Sequence, residues 1–275
     1  MVGSKPAIPW LKGVVLTVCL VLFIVPFVIL ILNSFKENQA ITSNPLSLPL
    51  RLEFTNYKNA FEQMNYMSAF SNTLVITVVS VVIVSLLAAM TAHYFVRNNT
   101  KFNQYTFLIM VASMIIPFQA IMIPLVKIYG SLGLLDNKWS LMYMYLGFGS
   151  SLAVFIYHGF VKSIPAELEE AAMIDGCTRT QTFFRIVFPV LAPTTATIAI
   201  LNVLWIWNDY LLPSLILVKP EELTLPLSTY SFQGTYTSDY GPLMAALVLT
   251  ILPIILVYLF AQRYIIQGVM QGSIK

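Results

Sequence analysis

The sequence predicts an all-α integral membrane protein with about six transmembrane helices, and three observations support this prediction. Hydrophobic residues fill 58% of its 275 positions and charged residues only 10%, a balance that soluble domains do not show. Several runs stay apolar over the roughly 20 residues that a helix needs to cross a bilayer core about 30 Å thick. Backbone amides in hydrocarbon must be paired within their own segment, which excludes isolated strands.

The apolar runs give the order of the spans along the chain. They cover residues 14–32, 73–96, 105–126, 139–161, 194–218 and 243–260. Prolines within or near the ends of these runs predict kinked helices, because each proline removes a backbone donor; they are Pro26, Pro117, Pro124, Pro213 and Pro253.

The segment between the first two spans is polar and contains one short amphipathic pattern. Phe54, Tyr57, Phe61 and Met64 recur at helical spacing around Thr55, a possible N-cap, which predicts a short helix on the outer surface. We therefore expect two parts: residues 1–69, with the N-terminal tail, the first span and this outer loop, and residues 70–275, a core of about five spans.

The distribution of basic residues predicts the orientation of the chain. With six spans both termini lie on the same side, and placing them in the cytoplasm agrees with the excess of Lys and Arg in inner loops. Nine of the fifteen basic residues then lie inside: Lys5, Lys12, Arg97, Lys101, Lys162, Arg179, Arg185, Arg263 and Lys275.

The longest inner loop, residues 163–189, has the start and stop signals of a helix. Ser163 can cap a helix, and Pro165 fits its first turn. Gly176 can adopt the left-handed conformation that ends a helix. The first helix of this loop is therefore predicted to end near Asp175.

A second short helix is predicted in the same loop. Thr178 is followed three residues later by Gln181, which is the spacing of a capping box, and Pro189 halts or bends the chain afterwards. The loop thus predicts a pair of short helices, which we call the hairpin. On spacing alone the hairpin is either a docking element for another protein or a structural elbow between two spans.

A motif within the hairpin resembles a known family. Glu170-Ala171-Ala172 is followed at the motif's spacing by Gly176, Ile186 and Pro189, which matches the EAA motif of ABC importer permeases, with Phe188 in place of the usual Leu. In that family this loop contacts the cytoplasmic ATPase. The resemblance therefore implies the type I permease fold and assigns ATPase coupling to these residues: Glu170, Ala171, Ala172, Asp175, Gly176, Ile186 and Pro189.

Other segments resemble the maltose-type sugar permeases. They are residues 56–57, 207–210, 225–227 and 253–268, and the C-terminal residues 272–275 resemble the family's tail without its final glycine. The resemblance implies a multi-pass subunit of the bacterial cell membrane that imports a sugar or oligosaccharide. It also implies a second permease subunit, a dimer of ATPase subunits and an extracellular solute-binding protein as partners.

The energy source is expected on a partner. The sequence has no Gly-x-x-x-x-Gly-Lys-Ser/Thr loop for nucleotide phosphates, so ATP and Mg are expected on the ATPase and no cofactor on this chain. No nucleophile, base or zinc motif suggests a catalytic site. His93 and His158 each lack a second ligand at metal-binding spacing, so no metal is expected.

Four polar residues in or near the spans are candidates for a substrate path or gate. Asn202, Asn208, Asp209 and Gln119 could offer a sugar the hydrogen bonds that hydrocarbon cannot. Such residues also commonly join one helix to another. Both interpretations remain open at the sequence level.

Four other functions are alternatives to a sugar importer. A self-contained secondary transporter would carry paired intramembrane charges or inverted repeats, and neither is evident. A membrane enzyme would need the catalytic motifs that are missing. A permease for a non-sugar solute would have the same EAA loop. Nucleic-acid binding lacks a basic cluster, since the net charge is only +3.

Overall fold

A computed structural model describes residues 9–232 and 239–273, and within this part of the chain regular structure is helical. Lys5 and Lys275, placed inside by the predicted orientation, lie outside the described residues, as does part of the C-terminal resemblance at residues 272–275. The α-helices are α1 Pro9–Ser34, α2 Asn38–Ser43, α3 Thr55–Gln63, α4 Tyr66–Arg97, α5 Lys101–Ser113, α6 Phe118–Ser131, α7 Lys138–Val161, α8 Glu167–Ile174, α9 Arg179–Thr182, α10 Phe188–Val190, α11 Ala192–Trp207, α12 Leu211–Ile216, α13 Leu225–Ser228 and α14 Tyr240–Ser273.

Four of these helices are long and apolar enough to cross a membrane, and two bent pairs raise the total to six. The spans formed by one continuous helix are Lys12–Ser34, Tyr66–Arg97, Lys138–Val161 and Tyr240–Gln262. The all-α membrane fold with about six spans is confirmed. The predicted short helix is also present as α3, but Phe54 is its N-cap and Thr55 is already its first residue.

The third predicted span is not one continuous helix. Its helices α5 and α6 meet at a bend of 103°. Pro117 stands at the break with an extended backbone, φ −67° and ψ 137°, and it has no N–H to continue the ladder of α5. Pro124, in contrast, is accommodated within α6.

The fifth predicted span, residues 194–218, is not one continuous helix either. A bend of 75° between Val190 and Ala192 lies just before it, ahead of Pro193 in the first turn of α11. Helix α11 then ends at Trp207, eleven residues short of the predicted end at 218. The carboxylate of Asp209 accepts the backbone N–H of Leu211, the first residue of α12, at 3.0 Å.

Contacts divide the chain into two compact units. One comprises Met1–Tyr66 with Thr229–Leu252, and the other comprises Met67–Ser228 with Pro253–Lys275. In the first unit, the amide of Asn56 donates to the carbonyls of Ser34 and Lys36 and so holds α3 to the end of α1. The segment Lys12–Ser34 has no buried residues in its most apolar window, as expected for a helix surrounded by lipid.

The core of the second unit joins α4 to α7 and to the hairpin. Small residues of α4, Ala88, Ala89 and Ala92, are fully buried and allow the close helix packing that membrane proteins use. The same core contains Tyr157 of α7. It also contains Phe183 and Val187 from the second half of the hairpin, and Leu191 just after it.

Candidate functional site: the hairpin and the polar breaks

The first helix of the hairpin ends where the sequence predicts. Helix α8 runs from Glu167 to Ile174, with Asp175 as its C-cap. Gly176 has a φ of +88°, in the left-handed region where glycine is free of strain. One start signal was wrong: the hydroxyl of Ser163 donates back to the carbonyl of Phe160 at 2.7 Å, so it does not cap α8.

The capping box of the second helix is confirmed. The backbone N–H of Thr178 donates to Oε1 of Gln181 at 2.9 Å, and the N–H of Gln181 donates to the Thr178 hydroxyl at 3.3 Å. Helix α9 then passes into a π-helical turn, Phe183–Val187. Because these two residues satisfy each other's donors, the turn after Gly176 is fixed by local contacts alone.

Helix α8 has a buried face and an exposed face. Glu169 and Ala172 are buried against the rest of the unit. Glu170, Ala171, Asp175 and Gly176 of the predicted coupling set are exposed. In the second half of the hairpin, Ile186 is half-buried and Pro189 is exposed.

Large apolar side chains lie beside the exposed members of the EAA motif. Ile174 is 86% exposed, and Leu168, Met173 and Phe184 are exposed as well. Several large apolar side chains exposed on one short loop are uncommon, and they mark a candidate binding surface. The exposed face of the hairpin therefore has the character of a protein interface.

The buried face is fixed by charge. Oε2 of Glu169 lies 2.8 Å from Nε2 of His93, and Oε1 lies 2.7 Å from the guanidinium of Arg97. Burial by itself raises the pKa of Glu169, but the hydrogen bonds from Arg97 and His93 outweigh it and hold that pKa below the ordinary value of 4.5. The carboxylate is therefore ionised at neutral pH.

Sequence reasoning missed this cluster. His93 and Arg97 stand at the end of α4, more than seventy positions before Glu169, and no local spacing relates them. Only the packing of α8 against α4 brings the three groups together. Glu169 directly precedes the EAA motif, and its burial beside the exposed Glu170 was not readable without the fold.

Two of the four candidate path residues share one cavity. Gln119, at the start of α6, and Asp209, after α11, line a cavity of about 620 Å³ together with Trp205, Ser113 and Ser151. The cavity lies at the breaks in the third and fifth spans. It combines aromatic and polar walls, which is the usual composition of a small-molecule site.

The other two candidates are placed elsewhere. The amide of Asn202 is buried and donates to the carbonyl of Ile198 at 2.9 Å, while its oxygen lies close to the backbone of Gly149. Asn208 is exposed and donates to the carbonyl of Leu204 at 2.7 Å. Both amides bond to their own helix, so the structure does not bring them to the cavity.

Asp209 also has structural partners. The hydroxyl of the buried Tyr145 donates to its Oδ2 at 2.9 Å, while Oδ1 accepts from the backbone of Leu211. The carboxylate thus joins α7 to the break after α11. Among the described residues no group of three His, Cys, Asp or Glu side chains could hold a metal ion.

The fold and the hairpin define a multi-span membrane subunit that presents a short helical pair for docking. Comparison with known proteins agrees with this class. Residues 82–271 match the family described as binding-protein-dependent transport system inner membrane component. The chain belongs to this family and is a membrane-embedded permease subunit of the ABC importer type.

Relatives with named transport systems extend the match over nearly the whole chain. A probable starch degradation products transport system permease protein of Thermoanaerobacterium thermosulfurigenes is 45% identical over 96% of this chain and 94% of its own length. A multiple sugar-binding transport system permease protein of Streptococcus mutans is 37% identical, covering 96% of both chains.

A solved structure has the same fold. A chain of a bacterial ABC transporter involved in the import of the acidic polysaccharide alginate superposes with a TM-score of 0.83, at 22% identity, covering 96% of this chain and 99% of that one. At this identity the likeness establishes the arrangement of helices. The type I permease fold implied by the EAA motif is thereby confirmed.

Proposed function

We propose that this chain is the permease subunit of an ATP-driven importer for a sugar or oligosaccharide. The relatives named for starch products and for multiple sugars support this substrate class. The proposed setting is a bacterial cell membrane, with both termini in the cytoplasm. A non-sugar solute is the alternative, because the hairpin would be the same for any cargo.

The proposed partners are a dimer of ATPase subunits, a second permease subunit and an extracellular solute-binding protein. ATP and Mg bind to the ATPase. The exposed face of the hairpin carries the proposal: Glu170 and Ala171 stand beside exposed Met173 and Ile174, while the opposite face of α8 is tied to α4. One face is free for a partner and the other is fixed to the span.

In this mechanism, closure of the ATPase dimer displaces the hairpin, and the hairpin displaces the spans to which it is attached. The spans thereby change from a packing that is open on one side of the membrane to a packing that is open on the other side. Asp175 and Gly176 shape the end of the docking helix. Ile186 and Pro189 set the return of the chain into α11.

The cavity lined by Gln119 and Asp209 is the proposed path of the sugar. Its polar groups can exchange hydrogen bonds with hydroxyl groups, and the exposed indole of Trp205 offers an apolar surface for a sugar ring. The carboxylate of Asp209 accepts from Tyr145, Leu211 and Leu212, which leaves one of its roughly four acceptor positions for a sugar hydroxyl. Asn202 and Asn208 stay assigned to the spans rather than to the path.

The test is co-purification followed by an activity assay. The tagged chain is recovered from detergent-solubilised membranes, its partners are identified, and ATP hydrolysis is measured with binding protein and a panel of sugars and other solutes. We expect an ATPase and a second permease, with hydrolysis stimulated by a sugar. A chain that transports alone, or stimulation by a non-sugar only, would overturn the proposal.

A further inference from the structure

Two adjacent glutamates of the hairpin have opposite surroundings. Glu169 is 7% exposed, whereas Glu170 lies on the exposed face. Successive residues of a helix point about 100° apart, so one carboxylate faces the span and the other faces a partner. The motif assigns a role to Glu170 but none to Glu169.

Each oxygen of the Glu169 carboxylate is taken by a different residue at the end of α4. Nε of Arg97 donates to Oε1 at 2.8 Å, and Nε2 of His93 lies 2.8 Å from Oε2. A second nitrogen of Arg97 donates to the carbonyl of Ile164 at 2.8 Å. The last turn of α4 thus holds both the entry of the hairpin and its first helix.

The same turn also touches the second half of the hairpin. The imidazole ring of His93 lies 5.4 Å from the ring of Phe183, which is itself buried. The hairpin is therefore fixed to α4 at Ile164, Glu169 and Phe183. Breaking a buried charged contact leaves a charge without its partner, which makes this attachment stiffer than an exposed ion pair.

Helix α4 is anchored at its other end too. The amide of Asn72 donates to the carbonyls of Glu221 at 2.6 Å and of Leu223 at 3.2 Å. The hydroxyl of Thr73 accepts the N–H of Leu225 at 2.8 Å. A helix rises 1.5 Å per residue, so the attachments at Asn72 and at Arg97 lie on the order of 35 Å apart along α4.

We propose that Glu169 is a positioning residue for energy coupling. With His93 and Arg97 it forms a clamp that makes the hairpin and α4 move as one body. Displacement of the hairpin is thereby transmitted along α4 to the loop around residues 221–225, which is attached to the other end of this helix. This inference rests on the proposed function, because it assumes that the ATPase displaces the hairpin. It adds the contacts through which the displacement of the hairpin is transmitted to the spans.

The experiment uses the full complex in proteoliposomes, with purified binding protein and the stimulating sugar. Glu169→Gln keeps the size of the side chain and removes its charge. Glu167→Gln is the matched control, because it makes the same change on the exposed first turn of α8. Both the sugar imported and the ATP hydrolysed are measured per assembled complex.

We expect Glu169→Gln to lower sugar import at least fivefold while the ATP consumed per imported sugar rises by a similar factor. Glu167→Gln should leave this ratio within twofold of the wild type. A residue that only stabilises the fold would reduce the amount of assembled complex and leave the ratio unchanged. An unchanged ratio for Glu169→Gln would therefore overturn the proposal.

A second variant keeps the test valid if Glu169→Gln fails to assemble. Arg97→Lys retains the positive charge and loses the planar fork that reaches both Glu169 and Ile164. We expect its ratio of ATP to sugar to rise by two- to fivefold, and a wild-type ratio would overturn the clamp. If the wild-type complex itself shows no sugar-stimulated ATPase, the proposed function fails and the clamp fails with it.

Discussion

The turn of the hairpin and the cavity at the broken spans differ in what shapes them. The turn between the two helices of the hairpin is shaped by contacts within a few residues of sequence, such as the capping box of Thr178 and Gln181. The cavity at the broken spans is shaped by groups far apart, such as Tyr145 and Asp209. Local contacts thus shape the turn of the proposed docking surface, whereas long-range contacts shape the cavity proposed for the substrate.

The largest effect is expected where the local geometry is least replaceable. Gly176→Val places a β-branched residue at a φ of +88°, which strains the backbone by on the order of 2 kcal/mol. No atom lies within 4 Å of the added Cβ, so the strain comes from the backbone alone. We expect sugar import to fall at least tenfold.

The control for Gly176→Val is Gly176→Asn. Asparagine adopts left-handed conformations more readily than valine, so this variant should retain most of the import activity. Import is measured in cells, and the amount of complex is measured by immunoblot. If the two variants behave alike, the left-handed turn is not what shapes the docking helix.

A comparable loss of stability is expected at the break after α11. Asp209→Ala removes the acceptor of the buried Tyr145 hydroxyl and of the Leu211 N–H, at a cost of about 1–3 kcal/mol. The melting temperature of the detergent-solubilised complex should fall clearly. In the background of Tyr145→Phe the same substitution should cost less, since the buried hydroxyl is gone. An equal fall in melting temperature in both backgrounds would show that the hydrogen bond between Tyr145 and Asp209 does not stabilise the complex.

These two sites show how far the sequence could predict the molecule. The stop at Gly176 and the capping box were predictable because each signal lies within four residues of its partner. The clamp of Glu169, His93 and Arg97 was not, because the chain separates its members by two spans' worth of sequence. The breaks at Pro117 and after Trp207 also depended on packing, since other prolines, such as Pro124, lie within continuous helices.

The proposed role of the cavity can be tested by comparing a substitution at a residue that lines it with a substitution at a polar candidate that does not. Gln119→Leu removes hydrogen-bonding groups from the cavity wall, and we expect the KM for sugar import to rise about three- to tenfold, equivalent to roughly 1 kcal/mol. Asn208→Leu is the matched control, because its amide bonds to the carbonyl of Leu204. If KM changes in Asn208→Leu and not in Gln119→Leu, the sugar does not pass through this cavity.

A smaller effect is expected from acid. Because the pKa of Glu169 is lowered on folding, its contribution is complete above the ordinary value of 4.5 and is lost as the pH falls through the lower folded value. Amide hydrogen exchange in α8, corrected for intrinsic rates, should therefore speed up more between pH 5 and pH 3 in the wild type than in Glu169→Gln. Identical acid responses would show that the carboxylate does not hold α8.

The smallest effect is expected at the capping box. Thr178→Ala removes the acceptor of the Gln181 N–H, at a cost of about 1 kcal/mol. Helix α9 should exchange its amide hydrogens faster, while import falls less than twofold, because Phe183 and Val187 keep the second half of the hairpin in the core. Thr178→Ser, which retains the hydroxyl, should behave as the wild type.

The most direct test of the account concerns the exposed face of the hairpin. Ile174, which is 86% exposed, is replaced by cysteine in a chain with Cys19→Ser and Cys177→Ser, and its labelling by a water-soluble maleimide is measured on inside-out vesicles with and without the purified ATPase. The account predicts fast labelling of the stripped vesicles and at least fivefold protection when the ATPase is restored. Equal labelling in both conditions would contradict docking of the ATPase on this face.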